Sequence, residues 1–308
     1  MMDENVMASV IVVRGGGDLA SGVIHRLHRC GYRVLILESE KPSAIRRMVS
    51  FCEAVYDGEA FVEGVLSHRV ESLEECAAVW QAGEIPLLVD PECDCLRKLH
   101  AAAKGEQCEA AVGELHPTVK SELYPVGTSE LHPAALVDAI LAKRNLGTTR
   151  GMAPLTIALG PGFEAGEDVD YVVETMRGHN LGRIIEEGSA LPNTGVPGMV
   201  GGVSRERVIH SPAAGSIRNE AKIADLVEKG DMIAYVGEAP VAATITGVLR
   251  GIIRDGYQVK KGMKIADIDP RTEEKQNCYS ISDKARCIAG SVVEILLSQG
   301  VLPVRADR

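Results

Sequence analysis

Hydrophobic and polar positions change their period along this chain of 308 residues. Over roughly the first 145 residues, short apolar runs alternate with stretches of helical spacing, the pattern of a parallel α/β sheet. Residues 9–14 read as a buried strand. Residues 18–30 read as a helix, with Asp18 as N-cap and Gly31 as its stop. A second strand is expected at 33–37, a helix at 73–81 and a strand at 85–90, stopped by Pro91. A helix at 93–103, a strand at 109–113 and a helix at 133–144, ended by Asn145 and Gly147, complete this region.

Residues 148–204 lose this alternation. A strand-like run at 155–159 leads into a Gly160-Pro161-Gly162 turn, and 171–174 reads as extended. The segments MRGHNLGR (from Met176) and LPNTGVPG (from Leu191) hold more Gly, Pro, Asn and Arg than a plain connection needs.

Residues 205–272 carry an internal repeat. VEKGDMI from Val227 returns as VKKGMKI from Val259, 32 positions on. Gly215 and Gly247, Gly230 and Gly262, and Ile233 and Ile265 keep the same offset. Each copy reads as a glycine turn and short strands, too small to bury a core alone. The repeat resembles the lipoyl/biotinyl hammerhead family over about 207–269, in SPAAGSI, VEKGD, TGVL and VKKG. That family carries its prosthetic group on a hairpin lysine. Here the hairpin reads EAPVAA from Glu238, and no lysine occurs between Gly230 and Val259. Neither biotin nor lipoate is expected, because an amide-linked arm needs that amine. Residues 273–308 close the chain with a helix at 282–299, capped by Ser282. The expected fold class is α/β: a Rossmann-like parallel sheet domain (1–147), a Gly/Pro-rich connecting region, an all-β lipoyl/biotinyl-hammerhead-like domain and the closing helix.

Composition narrows the chemistry. A hydrophobic fraction of 45% and a charged fraction of 25% fit a globular protein. With 4% aromatics and a net charge of −10, nucleic acid and anionic membranes are poor partners. The N-terminus is acidic and its first apolar run is short, so a cytoplasmic chain is expected. Its eight cysteines form no C-x-x-C pair and read as reduced thiols.

The candidate chemistry starts at VVRGGGDLASG. Gly15-x-Gly17-x-x-Ala20 lies between a strand and a helix, as a dinucleotide-binding turn requires. Gly15 allows the turn, Gly17 lets the backbone approach a pyrophosphate, and the helix N-terminus offers N–H groups to it. Glu38 lies about 20 residues beyond Gly17, where a carboxylate can take both ribose hydroxyls. Asp18 brings negative charge to the phosphate site, and Arg14 is placed to offset it. Arg14, Gly15, Gly16, Gly17, Asp18 and Glu38 are therefore candidate cofactor-binding residues. Arg177, His179, Asn180 and Arg183 share one loop and suit a phosphate or carboxylate. Cys93-x-Cys95 reads as a reactive thiol pair or a soft-metal ligand pair. With no further ligands in pattern, no metal site is expected. His116-Pro117 and His132-Pro133 read as turns.

In combination, VVRGGGDLASGVIHRL, VLILESEKPSAIRR, VVETMRGHNLGRII, LPNTGVPG and the lysine-free repeat are similar to the YqeB family, across nearly the whole chain. Proteins of that family are assigned to the selenium-dependent molybdenum hydroxylase system and are distantly similar to xanthine dehydrogenase accessory proteins. The resemblance implies a cytoplasmic maturation factor with a molybdenum hydroxylase as client. The glycine turn would then hold a molybdopterin dinucleotide or NAD(P), with the loop of Arg177 and Arg183 at the ligand's other end. A homo-oligomer is compatible with all of this. The alternative is a free-standing NAD(P)-dependent oxidoreductase, for which His179 is the one candidate acid/base. A scaffold with an empty glycine turn is a third reading.

Overall fold

The computed structural model describes residues 10–96 and 133–303. The expected strand at 109–113, most of the expected helix at 93–103, and Cys108, His116 and His132 lie outside the described residues.

The first two thirds of the chain contribute β1 (Val10–Arg14), β2 (Arg33–Glu38), β3 (Glu59–Val62), β4 (Val65–Val70), β5 (Ile85–Val89) and β6 (Pro133–Asp138). They continue with β7 (Thr156–Leu159), β8 (Glu164–Ala165), β9 (Tyr171–Val173), β10 (Ile184–Ile185) and β11 (Gly188–Ser189). All but β8 and β11, which pair with each other, form one sheet in the order β10-β9-β7-β6-β1-β2-β5-β4-β3. The interior pairs are parallel, and both edges are closed by antiparallel pairs, β9 with β10 and β4 with β3. The β3–β4 hairpin turns on Glu63 and Gly64, both at positive φ, as a two-residue hairpin loop demands.

This topology corrects the expected fold class. The molecule is not a Rossmann-like parallel sheet domain plus a hammerhead-like domain: its main body is one large mixed sheet. Strands drawn from beyond residue 148 complete it, because β7 and β9 extend the parallel run outward from β6. A second correction concerns 133–144, expected as a helix. Residues 133–138 form β6, parallel to β1. The run PAALVD is buried along almost its whole length, and a short apolar run of this kind fits a buried strand as well as a helix. Pro133 is tolerated because it starts the strand.

Helix α1 (Asp18–Arg29) buries Ala20, Val23, Ile24 and Leu27, the i, i+3, i+4, i+7 stripe that faces a core. Gly17, not Asp18, is its N-cap, and Gly31 at φ 90° ends it. Short helices α2 (Ala54–Asp57) and α3 (Cys76–Gln81) follow. The closing helix α4 (Asp283–Ser298) starts at Ser282, whose side chain accepts from the Ala285 N–H, as expected. Its Ala285, Ile288, Ala289, Val292, Ile295 and Leu296 join the same core as α1 and the sheet. A Cβ at Gly22 would lie 2.6 Å from the Ala285 Cβ, so the two helices touch nearly backbone to backbone.

The remaining strands are β12 (Val208–His210), β13 (Gly215–Asn219), β14 (Leu226–Val227), β15 (Met232–Val236), β16 (Ala239–Ala242), β17 (Gly247–Ile252), β18 (Gln258–Val259) and β19 (Lys264–Asp269). They form two four-stranded sheets, β12-β19-β17-β14 and β16-β15-β13-β18. The repeat is visible here: β13, β14 and β15 correspond to β17, β18 and β19. The short strands cross over, β14 pairing with β17 and β18 with β13, so neither copy is complete without the other. Val227, Val259, Ile233 and Ile265 meet in one core.

The segment after β2 docks this β-rich unit. A Cβ at Gly251 would sit 2.6 Å from the Ile45 carbonyl oxygen. Nearby, Arg47 Nε donates to the Ile252 carbonyl at 2.9 Å, and Arg254 pairs with Glu53 and Asp57.

Candidate functional site

The glycine run at the end of β1 divides into three different positions. Gly15 sits at φ 93°, and a Cβ there would approach the Ile140 Cα at 3.1 Å. Its N–H donates to the Leu37 carbonyl at 2.8 Å. Gly16 packs on Cys52: its carbonyl accepts the Cys52 N–H at 2.9 Å, and a Cβ would lie 2.8 Å from the Cys52 nitrogen. Gly17 has nothing within 4 Å of its Cβ position and an ordinary φ of −67°. Two glycines are thus needed by the protein's own packing, and the third opens onto space.

That space is a cavity of about 710 Å³, within the range of small-molecule sites. It lies at the carboxyl ends of the parallel strands. Gly17 and Asp18 follow β1, Ser43 to Arg46 follow β2, Lys143 follows β6, Pro161 follows β7, and Thr175 to Arg177 follow β9. In open α/β sheets the crevice beyond the carboxyl ends of the strands, where the strand order reverses, is where ligands bind. Here the reversal falls between β1 and β6. The far wall comes from the β-rich unit and α4, through Arg207, Arg250, Lys264, Asp267, Ser282 and Lys284.

Electrostatics set this cavity apart from the molecule around it. Among the described residues, Arg46, Lys143, Arg177, Arg207, Arg250, Lys264 and Lys284 line it, against Asp18 and Asp267 as its carboxylates. The chain as a whole carries −10. Arg207 and Arg250 share Asp267, and Arg46 reaches Asp18 at 3.6 Å. Arg177 is turned to Asp283 by two hydrogen bonds of 2.7 and 2.8 Å. Those bonds hold the Arg177 guanidinium above, and the Asp283 carboxyl below, their usual ranges. Burial lowers Lys284, and the attraction of Asp18 only partly offsets it. The N-terminus of α1 also faces this space, and no side chain caps it. Its free N–H groups add partial positive charge. Leu141 and Lys143 both hold positive φ, at 59° and 62°. Such strained non-glycine backbone costs about 1–3 kcal/mol per residue and clusters at ligand sites.

The candidate residues from the sequence fall into two groups. Gly17, Asp18 and Arg177 line the cavity. The others do not. Glu38 accepts the Gly16 N–H at 2.8 Å and the Ser39 N–H at 2.7 Å, so it braces the turn from within. Arg14 is buried, 3% exposed, and binds Asp138, Thr148 and the Pro91 carbonyl. It is thus a clamp on the loop after β6, away from Asp18. His179, Asn180 and Arg183 are exposed on the loop beyond Arg177. Cys93 is buried at positive φ. Burial and the neighbouring Asp90 push the Cys95 thiol far up, which opposes the reactive-thiol reading. Among the described residues, no group of three or more His, Cys, Asp or Glu side chains is placed to hold a metal, and no helix is long and apolar enough to cross a membrane.

Sequence reasoning missed Arg46, Lys143, Arg207, Arg250, Lys264 and Lys284. They are scattered over the chain, and only the fold gathers them. One signal was present: the loop LPNTGVPG, singled out by composition, supplies Leu191, Asn193, Thr194, Val196, Pro197 and Gly198 to the lining.

No family model matches the chain. Among solved structures it is similar to the apo ectoine utilization protein EutE (DoeB) from Ruegeria pomeroyi, with 10% identity and a TM-score of 0.23 over 85% of this chain and 86% of that one. It is also similar to an aspartoacylase family protein from Mesorhizobium loti, with 12% identity and a TM-score of 0.25 over 84% of each. Likenesses this distant carry no argument about activity. The sequence comparison is stronger. The chain is 46% identical over 295 residues to the uncharacterized protein YqeB of Escherichia coli (strain K12), covering 95% of this chain and 48% of that protein. The chain therefore spans about half the length of the curated relative it matches. This identity, sustained over almost the whole chain, supports its assignment to the YqeB family.

Proposed function

We propose that this chain binds a phosphate-bearing dinucleotide, a molybdopterin dinucleotide or NAD(P), in the basic cavity. We propose further that it acts as an accessory protein in the maturation of selenium-dependent molybdenum hydroxylases, the role that the YqeB resemblance implies. The observation that carries the ligand class is the charge of the cavity: seven cationic side chains against two carboxylates, inside a protein of net charge −10. A cleft lined by one sign of charge concentrates ligands of the other. The pyrophosphate would lie against the uncapped start of α1, beside Gly17, where helix N–H groups and an open backbone meet. Arg177, on the loop after β9, would contact the ligand's other end.

The oxidoreductase reading has less to support it. It requires an acid or base beside the nicotinamide, and His179 does not line the cavity. The test is isolation from a host that makes molybdopterin dinucleotides, with mass spectrometry of the bound ligand, alongside NAD(H) and NADP(H) titrations. Recovery of a pterin dinucleotide, lost in Gly17→Val, supports the cofactor-handling role. Tight NAD(P) binding with hydride transfer and no pterin would replace it with the oxidoreductase. Absence of all of them would refute nucleotide binding.

A further inference from the structure

Behind the main cavity lies a smaller chamber of about 370 Å³. The two share Arg46, Arg177, Val200, Arg250 and Ser282 in their linings, so they adjoin, with these residues as the waist between them. Arg46 and Arg250 stand at that waist for a structural reason. Gly251 follows Arg250 on β17 and packs against the carbonyl of Ile45, the residue before Arg46. The contact that docks the β-rich unit therefore also sets two guanidiniums side by side.

Their hydrogen bonding is incomplete. Arg46 is 7% exposed. One terminal nitrogen donates to the Asn277 and Ser280 carbonyls at 2.8 and 3.0 Å, and the other faces Asp18. Among the described residues its Nε is buried with no hydrogen-bond partner, and the same holds for Arg250 Nε. Around them, Asp267 is already shared with Arg207. Asp269 is taken up by Arg271 and Asp283 by Arg177. Two adjacent, largely buried cations, each with one long carboxylate contact, to Asp18 at 3.6 Å and to Asp267 at 3.7 Å, and each with an unused buried N–H, are costly to hold without a further anion. Both side chains line the two cavities, so an oxyanion entering there meets guanidiniums whose hydrogen bonding the described residues leave incomplete.

We infer that the Arg46–Arg250 waist is an oxyanion subsite for a phosphate-class group, distinct from the Gly17 end of the cavity. The guanidinium fork suits tetrahedral oxyanions. Ser280 and Ser282, which also line the smaller chamber, supply hydroxyls. The group is either a second phosphate carried by the ligand of the main cavity or free phosphate held beside it. The inference rests on the dinucleotide reading only for the first of these sources.

The test is calorimetric titration of the full chain with inorganic phosphate, on wild type, Arg250→Met and Gly17→Val. Arg250→Met keeps the Arg207–Asp267 pair and removes a like charge from beside Arg46, so it is expected to fold. A thermal melt checks this, and Arg250→Lys serves as a second variant with the charge kept and the fork lost. The expected result is a phosphate site weakened about tenfold or more in Arg250→Met, the scale of a lost hydrogen bond between charged groups, and retained in Gly17→Val. Competition identifies the source. Displacement of that phosphate by NADP+ and not by NAD+ assigns the subsite to a ligand's second phosphate. Phosphate that stays bound beside either dinucleotide assigns it to the free ion. No phosphate binding in wild type, or binding insensitive to Arg250→Met, overturns the subsite. Either failure leaves a dinucleotide recovered by mass spectrometry, and dependent on Gly17, untouched.

Discussion

Alanine at each of the three glycines separates what the turn does for the fold from what it does for a ligand. At Gly15 the backbone is left-handed, with φ at 93°, which costs an L-residue about 1–2 kcal/mol. The Cβ would also press on Ile140 at 3.1 Å and Ala139 at 3.2 Å. At Gly16 the new methyl would lie 2.8 Å from the Cys52 nitrogen, against backbone that cannot rotate away. Overpacking of that kind costs about 1–3 kcal/mol. At Gly17 φ is −67°, ψ is 179° and the space is open. There the loss of unfolded-state freedom favours alanine by about 0.4–1 kcal/mol, and alanine's poorer capping takes back a similar amount. Urea denaturation should therefore rank Gly15→Ala and Gly16→Ala clearly below wild type and place Gly17→Ala within about 0.5 kcal/mol of it. Titration with pyrophosphate should give the opposite order for Gly17: the larger Gly17→Val loses affinity while remaining folded. If Gly17→Ala unfolds as readily as Gly16→Ala, the open face assigned to Gly17 is wrong. If Gly17→Val binds pyrophosphate as wild type does, the anion does not sit on the start of α1.

Further predictions concern packing, charge and thiols. Gly22→Ala, which places a methyl 2.6 Å from the Ala285 Cβ, should lower the urea midpoint through overpacking of about 1–3 kcal/mol. Arg177 holds Asp283 below its usual range. That contribution is present above the unfolded carboxylate value and is lost as pH falls through the folded one. Because the pair is largely exposed, it amounts to at most about 1 kcal/mol, and Arg177→Gln should show a correspondingly shallower loss of stability on acidification. Burial raises Cys76 to about 12 and Cys95 higher still. Iodoacetamide followed by peptide mass spectrometry should therefore label exposed Cys30 and Cys287 before Cys76 and Cys95, and rapid labelling of Cys95 would contradict its burial. Pyrophosphate affinity should fall steeply between low and physiological salt, since the binding charges face an open cavity.

Much of the fold was legible because its signals are local. The stripe of Ala20, Val23, Ile24 and Leu27 marks α1, Ser282 marks the start of α4, and the 32-residue offset marks the paired strands β13 to β15 and β17 to β19. Fold class was not legible, because the antiparallel edges depend on partners. Ile184 and Ile185 form a strand only against Val172 and Val173. The run at 133–138 failed for a related reason: proline at the head and a glycine further on describe a helix well, and only the neighbouring β1 makes it a strand. The glycine motif lies at the edge of the basic cavity, but of its members only Gly17 and Asp18 line it. Glu38 carries the spacing of a ribose ligand, yet its carboxylate closes on the Gly16 and Ser39 N–H groups. The six cations that the motif did not include are far apart in sequence. No window could show that they converge.

That convergence has a consequence for how the cavity comes to exist. Arg46, Lys143 and Arg177 come from the first part of the chain, whereas Arg207, Arg250, Lys264 and Lys284 come from after residue 204. The large sheet alone would therefore hold only part of the basic cavity. It would also lack part of its own core, because Ile288, Val292 and Ile295 of α4 pack in the cluster that holds Ile11, Ile24 and Leu27. The β-rich unit is tied to the segment after β2 by Gly251, Arg47 and Arg254, and the same segment supplies Arg46. Apolar burial on one side of the chain thus offsets the repulsion of like charges gathered on the other. The cations are held together by a core they do not belong to, and an anion entering the cavity would relieve the repulsion that remains.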